Sequence, residues 1–148
     1  AWSHYRHSVR DGHEPLAFGE ALEAEESRLE SHHHAQEAGE PPGRAYSFHS
    51  YAARGRYHEQ LARWFEILDR SRFMVRRSDE LFANPERVAN EVLEFLGLSP
   101  LSRADFRAHN VGSGHRDMPA EERARLEAYF KPHNERLYEL LGWEAVWG

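Results

Sequence analysis

Two short stretches carry residue types suited to anion and proton chemistry. The run GSGHR sets Gly112, Ser113 and Gly114 ahead of His115 and Arg116. Glycines let the backbone approach a ligand, successive N–H groups form an anion nest, and the two basic side chains add positive charge. At the start of the chain, AWSHYRH separates Ser3 and His7 by four residues, which puts them on one face of a helix. A third candidate, His32-His33-His34, invites a metal reading because imidazole is the commonest ligand. Adjacent histidines in a loop do not converge on one ion, and no acidic or histidine partner stands at ligand spacing. No metal site is therefore expected. The chain has no Cys, which excludes disulfides, thiol nucleophiles and thiolate ligands.

Composition narrows the choice of partner. The 148 residues are 40% hydrophobic and 30% charged, the balance of one globular domain rather than a disordered chain. The net charge of −6 argues against a nucleic-acid partner, which requires a basic footprint. Of 19 basic residues only Lys131 is Lys and the other 18 are Arg. The guanidinium fork suits carboxylates, sulfates and phosphates, although a coding bias toward Arg and Ala accounts for the count more simply. No apolar run approaches a membrane span, and no signal peptide or lipidation motif is visible. A cytoplasmic protein with no membrane partner is the expectation.

The elements that must position these residues follow from periodicity. Trp2, Tyr5, Arg6 and Val9 predict an amphipathic helix ending near Asp11-Gly12. LAFGEALEAEESRLE predicts a second, with a very acidic outer surface. The segment 31–49, Pro/Gly-rich and without periodicity, reads as a flexible loop. Tyr57, Leu61, Trp64, Phe65 and Leu68 then mark a strongly amphipathic helix, with Trp64, Phe65 and Leu68 as core. RFMVRR predicts a short strand at 72–76. Asn84-Pro85 starts a helix that Gly97 closes, and a last helix follows Pro119, with Pro132 expected to kink or divide it. One strand among several helices cannot satisfy its own backbone groups. This pattern fits half of an α/β crossover unit whose other strands precede Ala1.

Four blocks now combine: AWSHYRH (1–7), residues 54–98 with R-G-x-Y-x-x-Q-L-x-x-W, D-E-L-x-x-x-P and F-L-G-L, HNVGSGHRDMP (109–119), and 123–142 with P-H-N-x-x-L. In that order the chain resembles the C-terminal half of a sulfotransferase domain of the kind found in heparan sulfate N-sulfotransferases and their bacterial relatives. The resemblance covers almost the whole chain and leaves out 31–49. It implies a P-loop-type three-layer α/β/α fold with a central parallel sheet, to which this chain gives mostly helices and one strand. It also implies transfer of a sulfuryl group from 3′-phosphoadenosine 5′-phosphosulfate, without a metal, to a hydroxyl or amine on a glycan or small molecule.

In that resemblance Ser3 stands where the A-[YW]-S motif puts a Ser on the donor's 3′-phosphate. His7 matches a His near the reacting centre, able to donate to the bridging oxygen or accept the acceptor's proton. Gly112, Ser113, Gly114, His115 and Arg116 match the loop that closes over the nucleotide, with His115 or Arg116 in the basic role. Where Arg54, Gly55 and Tyr57 open the long helix, the stronger reading is Tyr57 packed beside Leu61 and Trp64. The other is Arg54 and Arg56 facing an anionic acceptor or the nucleotide, and P-H-N-x-x-L is read as structural. The Lys-bearing loop for the 5′-phosphosulfate has no counterpart, since the sole Lys is Lys131 in the last helix. The expectation is thus that residues 1–148 form the C-terminal portion of one domain whose N-terminal half is missing, inactive alone. The alternative is a non-catalytic, mostly helical binding module derived from a sulfotransferase.

Overall fold

A computed structural model describes residues 1–37, 39, 41, 43–101, 105–107 and 117–146, with the backbone alone at 31–33 and 35–37. The chain divides into two compact units, residues 1–63 with 117–148, and residues 64–116. Its α-helices are α1 (Trp2–Arg10), α2 (Phe18–Glu37), α3 (Arg44–His49), α4 (Tyr57–Ile67), α5 (Ser78–Ala83), α6 (Pro85–Phe95) and α7 (Ala120–Leu141). Short 3-10 turns occupy Ala53–Gly55 and Arg70–Arg72.

In the first unit, aromatic side chains from α1 close over the start of α2. Trp2 and Tyr5 lie 5.0 and 4.8 Å from the Phe18 ring, centroid to centroid. Phe18, Ala52 and Leu126 form the buried cluster, with Leu22, Met118 and Phe130 packed around it. Hydrogen bonds then fix α1 on α3: Ser8 Oγ donates to the Phe48 carbonyl at 2.8 Å, and His4 Nε2 lies 3.2 Å from the same oxygen. Gly55, the glycine of R-G-x-Y, is set by packing rather than by backbone angle. A Cβ there would stand 2.5 and 2.7 Å from two atoms of the Phe130 ring. Only hydrogen fits without moving α7's aromatic.

In the second unit, Asn84 Oδ1 accepts from the Arg87 N–H at 3.2 Å and Pro85 takes the first helical position of α6, as the sequence predicts. Gly97 follows with φ +71°, a left-handed conformation suited to a residue without Cβ. Val88 is the buried apolar residue of α6.

Several expectations need correction. Helix α2 runs on to Glu37, through the segment read as loop, and α3 lies within the same stretch. No Gly or Pro occurs between Ser31 and Ala38, so nothing there breaks a helix before Gly39 at φ +74°. Next, Arg72 closes a 3-10 turn and Phe73 is extended (φ −117°, ψ 127°), but no strand or ladder exists among the described residues. The β-branched and aromatic run extends the backbone without supplying a partner for it. Last, the face containing Trp64 is not a core: Trp64 is 53% exposed, while Phe65 and Leu68 are half-buried. Pro132 neither divides nor ends α7, which is helical throughout.

Candidate functional site

Ser3 and His7, the two candidates near the start of the chain, both lie on α1. Ser3 is exposed on that helix. The first turn of α1 has no acidic side chain, so no like charge there opposes an anion. His7 is also exposed, one turn along the same face. Its ring is already engaged at the end of its own helix: Arg10 Nη2 donates to Nδ1, and Nε2 lies 3.4 Å from Asp11 Oδ2. His4 faces inward, edge-on to Tyr51 at 5.4 Å. Burial, then the nearby Arg54, holds its pKa below the ordinary imidazole value. The structure thus keeps Ser3 and His7 together on one exposed face. Gly112, Ser113, Gly114, His115 and Arg116 lie outside the described residues.

Arg54 takes a different place from the one anticipated. Its guanidinium donates to Ser50 Oγ at 2.7 Å and to the Tyr46 and Ser47 carbonyls at 3.3 and 3.0 Å, which finishes the C-terminal turn of α3. Beside it in the first unit, a mostly apolar cavity of about 650 Å³ is lined by Gly55, Tyr57, Met118 and Phe130, with Arg123, Lys131 and Glu127 as its charged members. That volume is within the range of small-molecule sites.

Two buried carboxylates escaped the sequence reading. The side chain of Glu14 is fully buried, and it accepts from Arg28 Nη1 at 2.5 Å, Tyr51 Oη at 2.7 Å and the Leu16 N–H at 3.0 Å. Burial opposes its ionisation, but these donors outweigh it and hold the pKa below the usual carboxylate range. Burial and the Glu14 charge push the Tyr51 phenol up. Glu25 accepts from the N–H groups of Ala52 and Ala53 at 2.9 and 2.8 Å, capping the 3-10 turn. For this group burial wins, and its pKa is raised. A second missed cluster joins His58 and Glu59 to His133. Glu14 meets Arg28 and Tyr51 14 and 37 residues away, and Glu25 meets Ala52 27 residues away. His133 joins the sequence-adjacent His58 and Glu59 from another helix, so no local spacing announces these groups. P-H-N-x-x-L, read as structural, contains His133.

No protein-family model matches the chain. Over 95 residues it is 32% identical to the membrane-associated sulfotransferase kil1 of Dictyostelium discoideum, a match covering 64% of this chain and 20% of that protein. The crystal structure of a sulfotransferase from Alicyclobacillus acidocaldarius superposes with a TM-score of 0.70 at 28% identity, covering 97% of this chain and 50% of that one. The chain is homologous to sulfotransferases and matches a sulfotransferase fold. It spans half the length of the solved relative and 20% of the curated one. Among the described residues no helix is long and apolar enough to cross a membrane.

Proposed function

We propose that this chain holds the nucleotide end of 3′-phosphoadenosine 5′-phosphosulfate in a sulfotransferase acting on a hydroxyl or amine of a glycan or small molecule. The observation that carries the reading is the likeness to a sulfotransferase structure over 97% of this chain. The four motif blocks point more narrowly to the heparan sulfate N-sulfotransferase type.

The residues at the start of α1 fit the donor's 3′-phosphate. Ser3 Oγ supplies one hydrogen bond to a phosphate oxygen. The 112–116 loop adds backbone N–H groups and the charge of His115 or Arg116 over the nucleotide. His7 moves a proton between acceptor and leaving group, and for that its ring must part from Arg10 and Asp11. Sulfuryl transfer, like phosphoryl transfer, needs fixed positive charge on the non-bridging and leaving oxygens. No Gly/Lys/Thr loop in the 148 residues supplies it beside the 5′-phosphosulfate. This chain therefore contributes binding and lacks a complete catalytic set. That same lack favours a second reading, a helical module that keeps the binding and has lost the chemistry.

Adenosine 3′,5′-bisphosphate tests both readings. The nucleotide should raise the melting temperature, as any ligand selective for the native state does. Ser3→Ala should weaken binding by about 1.5–3 kcal/mol, the worth of a hydrogen bond to a charged group. No shift at millimolar nucleotide rejects a donor site. Labelled donor with glycan, phenol and amine acceptors should give no turnover with this chain alone. Turnover abolished by His7→Ala would show instead a complete catalyst.

A further inference from the structure

We propose that His58, Glu59 and His133 bind a zinc-class divalent cation that clasps the first turn of α4 to the middle of α7. One ligating atom from each residue lies within 4.8 Å of the other two. Glu59 Oε1 stands 3.9 Å from His58 Nε2 and 3.8 Å from His133 Nδ1. Those separations are too long for hydrogen bonds. They exceed by only about 0.5 Å the roughly 3.3 Å between neighbouring donors on a tetrahedral ion with bonds of about 2.0–2.1 Å. Small rotations of half-buried side chains close that difference.

The polar groups here are otherwise left over. The Nδ1 atoms of His58 and His133 are buried, without a hydrogen-bond partner among the described residues. A buried nitrogen in that state costs free energy, which coordination through Nδ1 would recover for His133, whereas His58 faces Glu59 through Nε2. For His133, the unpartnered nitrogen is the one facing Glu59. Tyr129 lies against the His133 ring, centroids 5.0 Å apart, and restricts its plane. Burial, then the adjacent His58, lowers the His133 pKa, which favours the neutral ring that a metal requires.

The donor set selects the ion. Two imidazoles and one carboxylate suit zinc and its first-row neighbours, whereas magnesium and calcium prefer oxygen. Arg56 Nε lies 3.7 Å from Glu59 Oε2, so one carboxylate oxygen faces the guanidinium and the other the imidazoles. Arg56 thereby orients the ligand, as partners of ligating groups do, while its charge weakens the site for any cation that imidazole does not hold firmly. Three protein ligands leave a fourth position, and the 39% exposure of the Glu59 side chain opens it to water. The proposed sulfuryl transfer routes no step through this ion.

The test is calorimetric titration of the 148-residue chain with Zn²⁺ in a non-chelating buffer, followed by Co²⁺ with its visible spectrum. The expected result is a single equivalent bound, a higher melting temperature, and the strong d–d bands of four-coordinate cobalt. His133→Ala and His58→Gln should each weaken binding by more than the roughly 10- to 100-fold that loss of an outer partner costs. Replacing His32, His33 and His34 together by Ala should leave it unchanged. Melting of the metal-free variants separates ligand loss from misfolding, and the milder His58→Gln serves if His133→Ala does not fold. No binding at millimolar Zn²⁺, binding that persists in a folded His58→Gln, or binding lost only in the 32–34 variant would overturn the assignment.

Discussion

The two units of this chain differ in how far they bury their apolar and charged groups. In residues 1–63 with 117–148, Phe18, Ala21, Leu29, Leu126 and Leu137 are at most 6% exposed. The buried carboxylates there have donors close at hand. In residues 64–116, Ile67 is 73% exposed, Phe82 80% and Leu96 60%, and an apolar groove of about 790 Å³ runs past Met74, Leu81, Val92 and Leu96. The ion pairs of this unit, such as Arg87 with Glu91 and Arg77 with Asp79, lie at the surface and contribute little. Helix α1 of the first unit and α6 of the second are both strongly amphipathic, so amphipathicity alone does not distinguish the units. What differs is whether each apolar face meets another within the same unit.

Removing Arg28 should expose the largest part of that contrast. Its guanidinium holds Glu14 by two hydrogen bonds, at 2.5 and 3.2 Å. Arg28→Ala leaves a buried carboxylate with Tyr51 and one N–H for company. Loss of one partner from a buried pair costs about 3–5 kcal/mol, and urea unfolding should show a loss of that order. Arg87→Ala, the matching change in the second unit, should stay within about 0.5 kcal/mol. Equal losses would erase the distinction between the units.

Acid should sharpen it further, because the two buried carboxylates respond with opposite signs. The folded pKa of Glu14 is depressed. Its contribution is complete above the unfolded carboxylate pKa of about 4.3 and disappears as pH falls through the lower folded value. The folded pKa of Glu25 is raised. Its neutral form is the favoured one, so its contribution is present at low pH and is lost as pH rises from the unfolded value through the folded one. Urea unfolding between about pH 3 and pH 6 should therefore show a flatter acid limb in Glu14→Gln and a steeper one in Glu25→Gln. Parallel limbs in both variants would contradict the assigned environments.

How much of this was legible beforehand depended on range along the chain. Helices α1 and α6 announced themselves by apolar spacing and by local devices, Asn84-Pro85 at a start and Gly97 at an end. Ser3 and His7 were legible together for the same reason, being four residues apart. The extension of α2 was hidden by the Pro/Gly content that begins only at Gly39 and had been read back over the whole loop. That no ladder forms after Arg72 among the described residues reflects a limit of strand propensity, which favours extension but cannot report whether a neighbouring strand exists. Glu14 finds Arg28 and Tyr51 14 and 37 residues away, and His133 meets Glu59 from another helix. No window of sequence contains such pairs.

The smallest expected effect is at Phe82, and it tests the exposed side of the comparison. Burying a Phe side chain is worth about 1.5–3 kcal/mol, so a residue that packs against its own unit cannot lose its ring cheaply. Phe82 is 80% exposed near the end of α5, so little of that free energy is gained on folding. Phe82→Ser should change stability by no more than about 0.5 kcal/mol, as for a surface position. It should also improve solubility by removing an exposed ring. Leu137→Ala, at 3% exposure in the first unit, supplies the contrast, with an expected loss of about 2–5 kcal/mol. A loss above about 1 kcal/mol for Phe82→Ser would mean that the ring is covered in solution, since a side chain left in water has no such burial energy to forfeit. The second unit would then be packed like the first, and the contrast between them would fail at its most exposed residue.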